Sequence, residues 1–102
     1  SAASDVYKRQ LDKLDEEMRE LREAAERGTN FSEELGDVLF AAVKAGRFLS
    51  VDPEDALNAT CEKFIARFRR VEEACAARGA KLSSLPLDEL TRLWNEAKHP
   101  TE

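Results

Sequence analysis

A chain of 102 residues has room for one domain with one core, near the lower end of sizes that fold without staples. With 42% apolar and 36% charged residues, four glycines and three prolines, it is neither disordered nor fibrous, and its composition suits a soluble, strongly helical protein. The formal charge of -5 argues against a nucleic-acid backbone as partner, because duplex binding rests on Lys and Arg neutralising phosphates. No apolar run approaches the roughly 18 residues of a membrane span, and no signal-peptide pattern opens the chain. A cytoplasmic protein with no membrane partner is the expectation.

The opening "SAASDVYKRQ", residues 1–10, lacks helical periodicity until its end, and it reads as a scar of sequence assembly or a disordered leader. The domain is expected over residues 11–98, with 99–102 as a tail. From Leu11, apolar residues recur at Leu14, Met18, Leu21 and Ala25, the stripe of an amphipathic helix, and Gly28 supplies its stop. A second helix is predicted from Asn30, with Asn30 as cap and Glu33 reaching back in a capping box, through Leu39, Val43 and Gly46 toward Leu49. It is apolar over much of its circumference, which suits packing on several sides and a subunit interface.

In "SVDPEDAL", Asp52 can cap, Pro53 fits the first helical position, and Glu54 and Asp55 favour the dipole. The third helix then carries Leu57, Cys61, Phe64, Phe68, Val71 and Cys75 as its stripe and ends at Gly79. A shorter fourth follows with Leu87, Leu90, Trp94 and Ala97, closed by Pro100. No strand alternation competes. Short links favour an all-α, antiparallel four-helix bundle, and the apolar surplus on the second helix favours a homodimer or larger assembly. Cys61 and Cys75, fourteen residues apart on one helix, stand roughly 21 Å apart. They cannot bond to each other, and both are expected in the core.

The acids are arranged less blandly. Glu17 and Glu20 flank the stripe of the first helix, Glu34 and Asp37 that of the second, each pair one helical turn apart. Like charges at that spacing repel unless something positive sits between them. A single such pair is an ordinary solvated face, but two pairs across a hairpin leave two readings open: solvated acids, or ligands for a hard divalent cation such as Mg²⁺. Lys63, Arg67 and Arg70 lie along one flank of the third helix, as an ordinary basic face or as contacts for nucleotide phosphates. Trp94 is in phase with the core and can also stack on a base. His99, the sole histidine, cannot build a zinc cluster alone, and there is no glycine-rich phosphate loop and no partnered nucleophile.

As a set, these segments resemble a known family. "EEMRE", from Glu16 to Glu20, and "EELGD", from Glu33 to Asp37, match the Glu-Glu-x-x-Glu then Glu-x-x-Asp pattern of the MazG-like nucleoside triphosphate pyrophosphohydrolases. "EELGDVLFAAV", "KFIARFRRVEEACAARG" and "LTRLWNEAK" resemble successive parts of a MazG catalytic domain, so the likeness runs from Leu11 to Lys98. It implies an all-α oligomer that hydrolyses nucleoside triphosphates to monophosphate and pyrophosphate with one or two Mg²⁺ ions, Mn²⁺ substituting. Carried over by position, it implies Glu17, Glu20, Glu34 and Asp37 as metal ligands and Glu16 and Glu33 beside the site; on mechanistic grounds Glu16 is the candidate to orient or deprotonate the water. Lys13 matches a nucleotide contact, Lys63 and Arg67 the Lys-x-x-x-Arg that takes the triphosphate, and Trp94 the tryptophan next to the base. Asn30 departs from the pattern where a nucleotide-contacting Lys is expected, and longer members carry two domains where this chain reads as one. The rival expectations are a narrower pyrophosphohydrolase, for phosphoribosyl-ATP, dUTP or dCTP, and a non-catalytic helical dimerisation module.

Overall fold

The structure is a computed structural model and describes residues 1–98. The expectations for His99 and for Pro100 as a helix stop lie outside the described residues. Within them the chain is all-α and has no strand, with helices α1 (Ala2–Arg27), α2 (Phe31–Phe48), α3 (Pro53–Ala77) and α4 (Leu87–Lys98), and a short 3-10 turn at Leu82–Ser84. None of these helices is long and apolar enough to cross a membrane. The chain divides into two compact units, Ser1–Ala56 and a second that begins at Leu57.

The first ten residues are not a disordered leader. The Ser1 side chain accepts the Ser4 N–H at 3.2 Å, and α1 runs unbroken from Ala2. The partly or fully buried positions of α1 are Ser4, Tyr7, Gln10, Leu14, Glu17, Leu21 and Ala24, the three-and-four spacing of one helical face. Because Ser4, Tyr7 and Gln10 belong to that face, counting aliphatic residues alone conceals it.

Gly28 ends α1 as expected, in the left-handed region at φ 76, with its N–H on the Ala24 carbonyl at 2.9 Å; a side chain there would be strained. The short link then reverses the chain, and α2 packs antiparallel on α1. The capping box at Asn30 does not form: Asn30 occupies the cap position at φ 61 and makes no side-chain cap bond. Capping needs an extended backbone that aims the side-chain oxygen at the first turn, whereas the left-handed region, which Asn tolerates, aims it elsewhere. The Asp52 cap does form, with Oδ1 accepting the Glu54 N–H at 2.9 Å and the Asp55 N–H at 3.3 Å. Gly46 allows the close approach of this corner, since a Cβ there would meet Pro53 Cγ at 3.3 Å.

The seam between α1 and α2 is built from small residues. Ala24 of α1 and Ala41 and Ala45 of α2 are its buried apolar positions, and Glu17 is buried too. Small side chains let two helices approach closely, so the seam selects against the larger apolar residues. Met18, expected on the core stripe of α1, is exposed in the single chain, as are Leu35, Leu39, Phe40 and Val43 of α2.

In the second unit, Val71 and Cys75 of α3 pack on Leu93 and Ala97 of α4, with Leu82, Leu85 and Trp94 around them. α4 runs back along α3: Arg78 pairs with Glu89 at 2.5 Å, and Arg70 Nη1 donates to the Ala97 carbonyl at 2.8 Å. Arg70 is thus engaged in satisfying the end of α4. Cys75 is 2% exposed, as expected of a core thiol, but Cys61 is exposed. Leu57 and Ile65 near it are exposed too, and so is Phe64, although the Trp94 ring of α4 stands against it. Leu87 is 79% exposed, and Leu93 takes the core position of α4 in its place.

Candidate functional site

The α1–α2 seam holds the chemistry. Glu17 from α1 meets Glu34 and Asp37 from α2 so that one carboxylate oxygen of each lies within 4.8 Å of the others. The antiparallel pairing produces this register: Glu17 is eleven residues before Gly28 on one arm, and Glu34 and Asp37 occupy the first turns of the other. Glu17 is only 8% exposed, and its Oε2 and that of Glu34 are buried with no hydrogen-bond partner. An unpaired buried carboxylate oxygen is costly, and this cluster carries two of them.

The electrostatics agree. Burial pushes the Glu34 carboxyl above its usual range, and the charges of Glu20, Asp37, Glu33 and Glu17 push it further. The one compensating cation among the described residues is Lys13, whose Nζ lies 3.1 Å from Glu17 Oε1 and 3.6 Å from Glu16 Oε1. Those acids raise the Lys13 pKa in turn, Glu17 most through its hydrogen bond. Three hard oxygen donors, two with an unused lone-pair side, fit a small divalent cation that retains water.

The structure therefore gathers Glu17, Glu34 and Asp37. Glu20, the fourth expected ligand, is exposed and outside the group of three, although its charge reaches Glu34. Glu16 is half exposed against Lys13, and Glu33 lies exposed in the first turn of α2. In the second unit, Lys63 is exposed and Arg67 half-buried one turn further along α3. Neither pairs with a carboxylate among the described residues. Trp94 serves the core and stays reachable: its ring stands 5.0 Å from that of Phe64, and it lines a cavity of about 320 Å³ with Phe68, Val71, Leu82, Leu90 and Thr91.

Two residues at the acids escape a reading by motif. Gln10 and Lys44 line a cavity of about 200 Å³ together with Lys13, Glu17, Asp37 and Phe40. Gln10 lies seven residues before Glu17 and Lys44 seven after Asp37, two turns along the same faces. That spacing is the signal that could have found them.

Residues 6–72 match the model of the MazG nucleotide pyrophosphohydrolase domain. The chain is 42% identical over 87 residues to the nucleoside triphosphate pyrophosphohydrolase/pyrophosphatase MazG of Thermotoga maritima, a match covering 85% of the chain and 34% of the relative. It is 38% identical over 93 residues to a nucleoside triphosphate pyrophosphohydrolase of Escherichia coli K12, covering 91% and 35%. It is also 44% identical over 69 residues to the uncharacterized protein YabN of Bacillus subtilis, covering 68% and 14%. The chain thus spans about a third or less of the length of these curated relatives. The match begins at residue 6, inside the segment that lacked apolar periodicity.

Proposed function

The chain belongs to the MazG nucleotide pyrophosphohydrolase family, and from that premise we propose that it hydrolyses nucleoside triphosphates, ribo or deoxy, to monophosphate and pyrophosphate with Mg²⁺. The observation that carries this reading is the Glu17, Glu34 and Asp37 cluster with its two buried, unpartnered oxygens. These three would hold the ion, and Glu20, one turn beyond Glu17 on α1, would complete the set by a rotation of its side chain. When bound, Mg²⁺ supplies Lewis acidity and neutralises charge on the departing pyrophosphate.

The protein's own groups divide the remaining work. Water oxygen bonds to the α phosphorus as the bond from that phosphorus to the β-bridging oxygen breaks, and the water's proton goes to a carboxylate. Glu16, half exposed beside Lys13, is our candidate to orient the water and take that proton. Lys13 contacts the nucleotide, Glu33 supports the same end of α2, Lys63 and Arg67 hold the outer phosphates, and Trp94 stacks on the base. The exposed apolar faces of α2 and α3 support assembly as a homodimer or higher oligomer. The two free cysteines suit a reducing, cytoplasmic setting.

The test is pyrophosphate release from a panel of ribo- and deoxynucleoside triphosphates, with and without Mg²⁺, for the wild type and Asp37→Asn. Broad, Mg²⁺-dependent release that Asp37→Asn abolishes with little loss of fold is expected; a single good substrate would narrow the reading to a dedicated pyrophosphohydrolase. An active Asp37→Asn protein at ordinary Mg²⁺ would refute the assignment, and no release from any nucleotide would leave the acids as a surface feature.

A further inference from the structure

We propose that Lys44, with Arg47 one turn further along α2, binds phosphate oxygens of the ligand held at the Glu17, Glu34 and Asp37 cluster, an inference that rests on the reading of that cluster as the catalytic centre. Lys44 borders two cavities. One, of about 200 Å³, is lined by Glu17 and Asp37 among others; the other, of about 490 Å³, is lined by Phe40, Lys44, Arg47 and Phe48. Phe40 and Lys44 belong to both, so the surface continues from the carboxylates along α2 to Arg47.

The two lysines beside the acids are used differently. Lys13 is engaged by Glu16 and Glu17, whereas Lys44 pairs with no carboxylate among the described residues, although it lines the cavity that Glu17 and Asp37 line. Arg47 likewise has no carboxylate partner among them. Two cations at i and i+3 repel each other as two acids do, unless something negative sits between them. The acid cluster wants a positive charge and the neighbouring Lys44–Arg47 pair a negative one. A polyphosphate bound through a divalent cation satisfies both at once.

The geometry suits contact. Lys44 is seven residues beyond Asp37, about 10 Å along the axis at 1.5 Å per residue. Helical side chains lean toward the N-terminus, so the Lys44 stem leans back toward Asp37, and an ammonium with three donors meets phosphate oxygens at the edge of the cluster. Phe40, exposed between the two cavities, forms an apolar wall beside that path.

The experiment measures binding of inorganic pyrophosphate in the presence of Mg²⁺ by calorimetry, beside steady-state kinetics with a nucleoside triphosphate. Lys44→Gln should weaken pyrophosphate binding and raise KM about tenfold, the effect of one charge-assisted hydrogen bond, while kcat changes little. Lys44→Arg should restore most of both. The rise in melting temperature on adding Mg²⁺ should be unchanged, because the carboxylates are intact. Unaltered pyrophosphate affinity in Lys44→Gln overturns the proposal, whether or not the wild type turns over nucleotides. A wild type that binds pyrophosphate through Lys44 but releases none from nucleotides overturns the catalytic reading alone.

Discussion

Lys13 Nζ lies 3.1 Å from one oxygen of Glu17, while the other oxygen of that carboxylate is buried without a partner. The ammonium therefore satisfies one half of Glu17 and leaves the other without a partner. It also stands where it competes with a divalent cation for the same carboxylate. Lys13→Ala should lower the melting temperature of the metal-free protein, because the gathered acids lose the one cation that pairs with them among the described residues. The same change should tighten Mg²⁺ binding about two- to fivefold, the range of a partly exposed ion pair. Calorimetric titration of Mg²⁺ into the variant checks this, and weaker binding would show that Lys13 assists the site instead of competing for it.

Glu34 makes the site sensitive to pH. Burial in the seam raises its carboxyl above the ordinary value of 4.5, and the charge of Glu20 raises it further. The folded chain therefore takes up this proton at a higher pH than the unfolded chain does. Stability from this group is gained as pH falls through the raised value toward 4.5 and is missing at neutral pH. Metal-free protein should lose stability as pH rises through that window, and Glu34→Gln should flatten this part of the profile and raise the metal-free melting temperature at neutral pH. Added Mg²⁺ should stabilise the wild type at neutral pH much more than Glu34→Gln. Equal stabilisation of the two would remove Glu34 from the ligand set.

Local signals were legible from sequence and the seam was not. Gly28 and the Asp52–Pro53 start are read from two or three adjacent residues whose backbone needs are fixed, and both appear as expected. The α1–α2 seam depends on which faces meet, and these helices meet through Ala24, Ala41 and Ala45. A search for apolar periodicity favours the bulkier Met18, Leu35 and Leu39, which face outward. The same bias obscured the start of α1, since Ser4, Tyr7 and Gln10 carry its seam. It also moved Glu17 to the flank of a stripe when it belongs in the middle of the buried face. The acid motifs contain the three carboxylates that the structure gathers, but Gln10 and Lys44 lie two turns outside them and only the paired helices bring them in.

Glu89 organises the outer face of the second unit. Its carboxylate accepts from Arg92 and from Arg78, and these two hold its pKa down to about 2. A folded pKa below the unfolded value of 4.5 gives stability that is present above 4.5 and lost as pH falls toward 2. Glu89→Gln should therefore lower the melting temperature at neutral pH, and the difference from wild type should shrink steadily between about pH 4.5 and pH 2. A difference that stays constant over that range would mean that packing of the side chain, and not its charge, is what Glu89 contributes.

The apolar residues that turn away from the α1–α2 seam lead to the last prediction. Leu39 is 58% exposed on α2 and Leu57 is 63% exposed on α3, with Phe40, Val43, Phe64 and Ile65 also uncovered in the single chain. Isolated exposed leucines are ordinary, but runs of large side chains along two helices are what an assembly covers. Sedimentation at micromolar concentration should give a dimer or larger species. The double substitution Leu39→Glu and Leu57→Glu should shift it toward monomer, since a carboxylate buried at an interface is strongly unfavourable without a partner. Circular dichroism should still report helix, because neither leucine belongs to the seam or to the core of the second unit. A wild-type protein that sediments as a monomer at every concentration would leave these faces to solvent and remove the assembly from the proposed function, while the Glu17, Glu34 and Asp37 cluster, built within one chain, would stand unaffected.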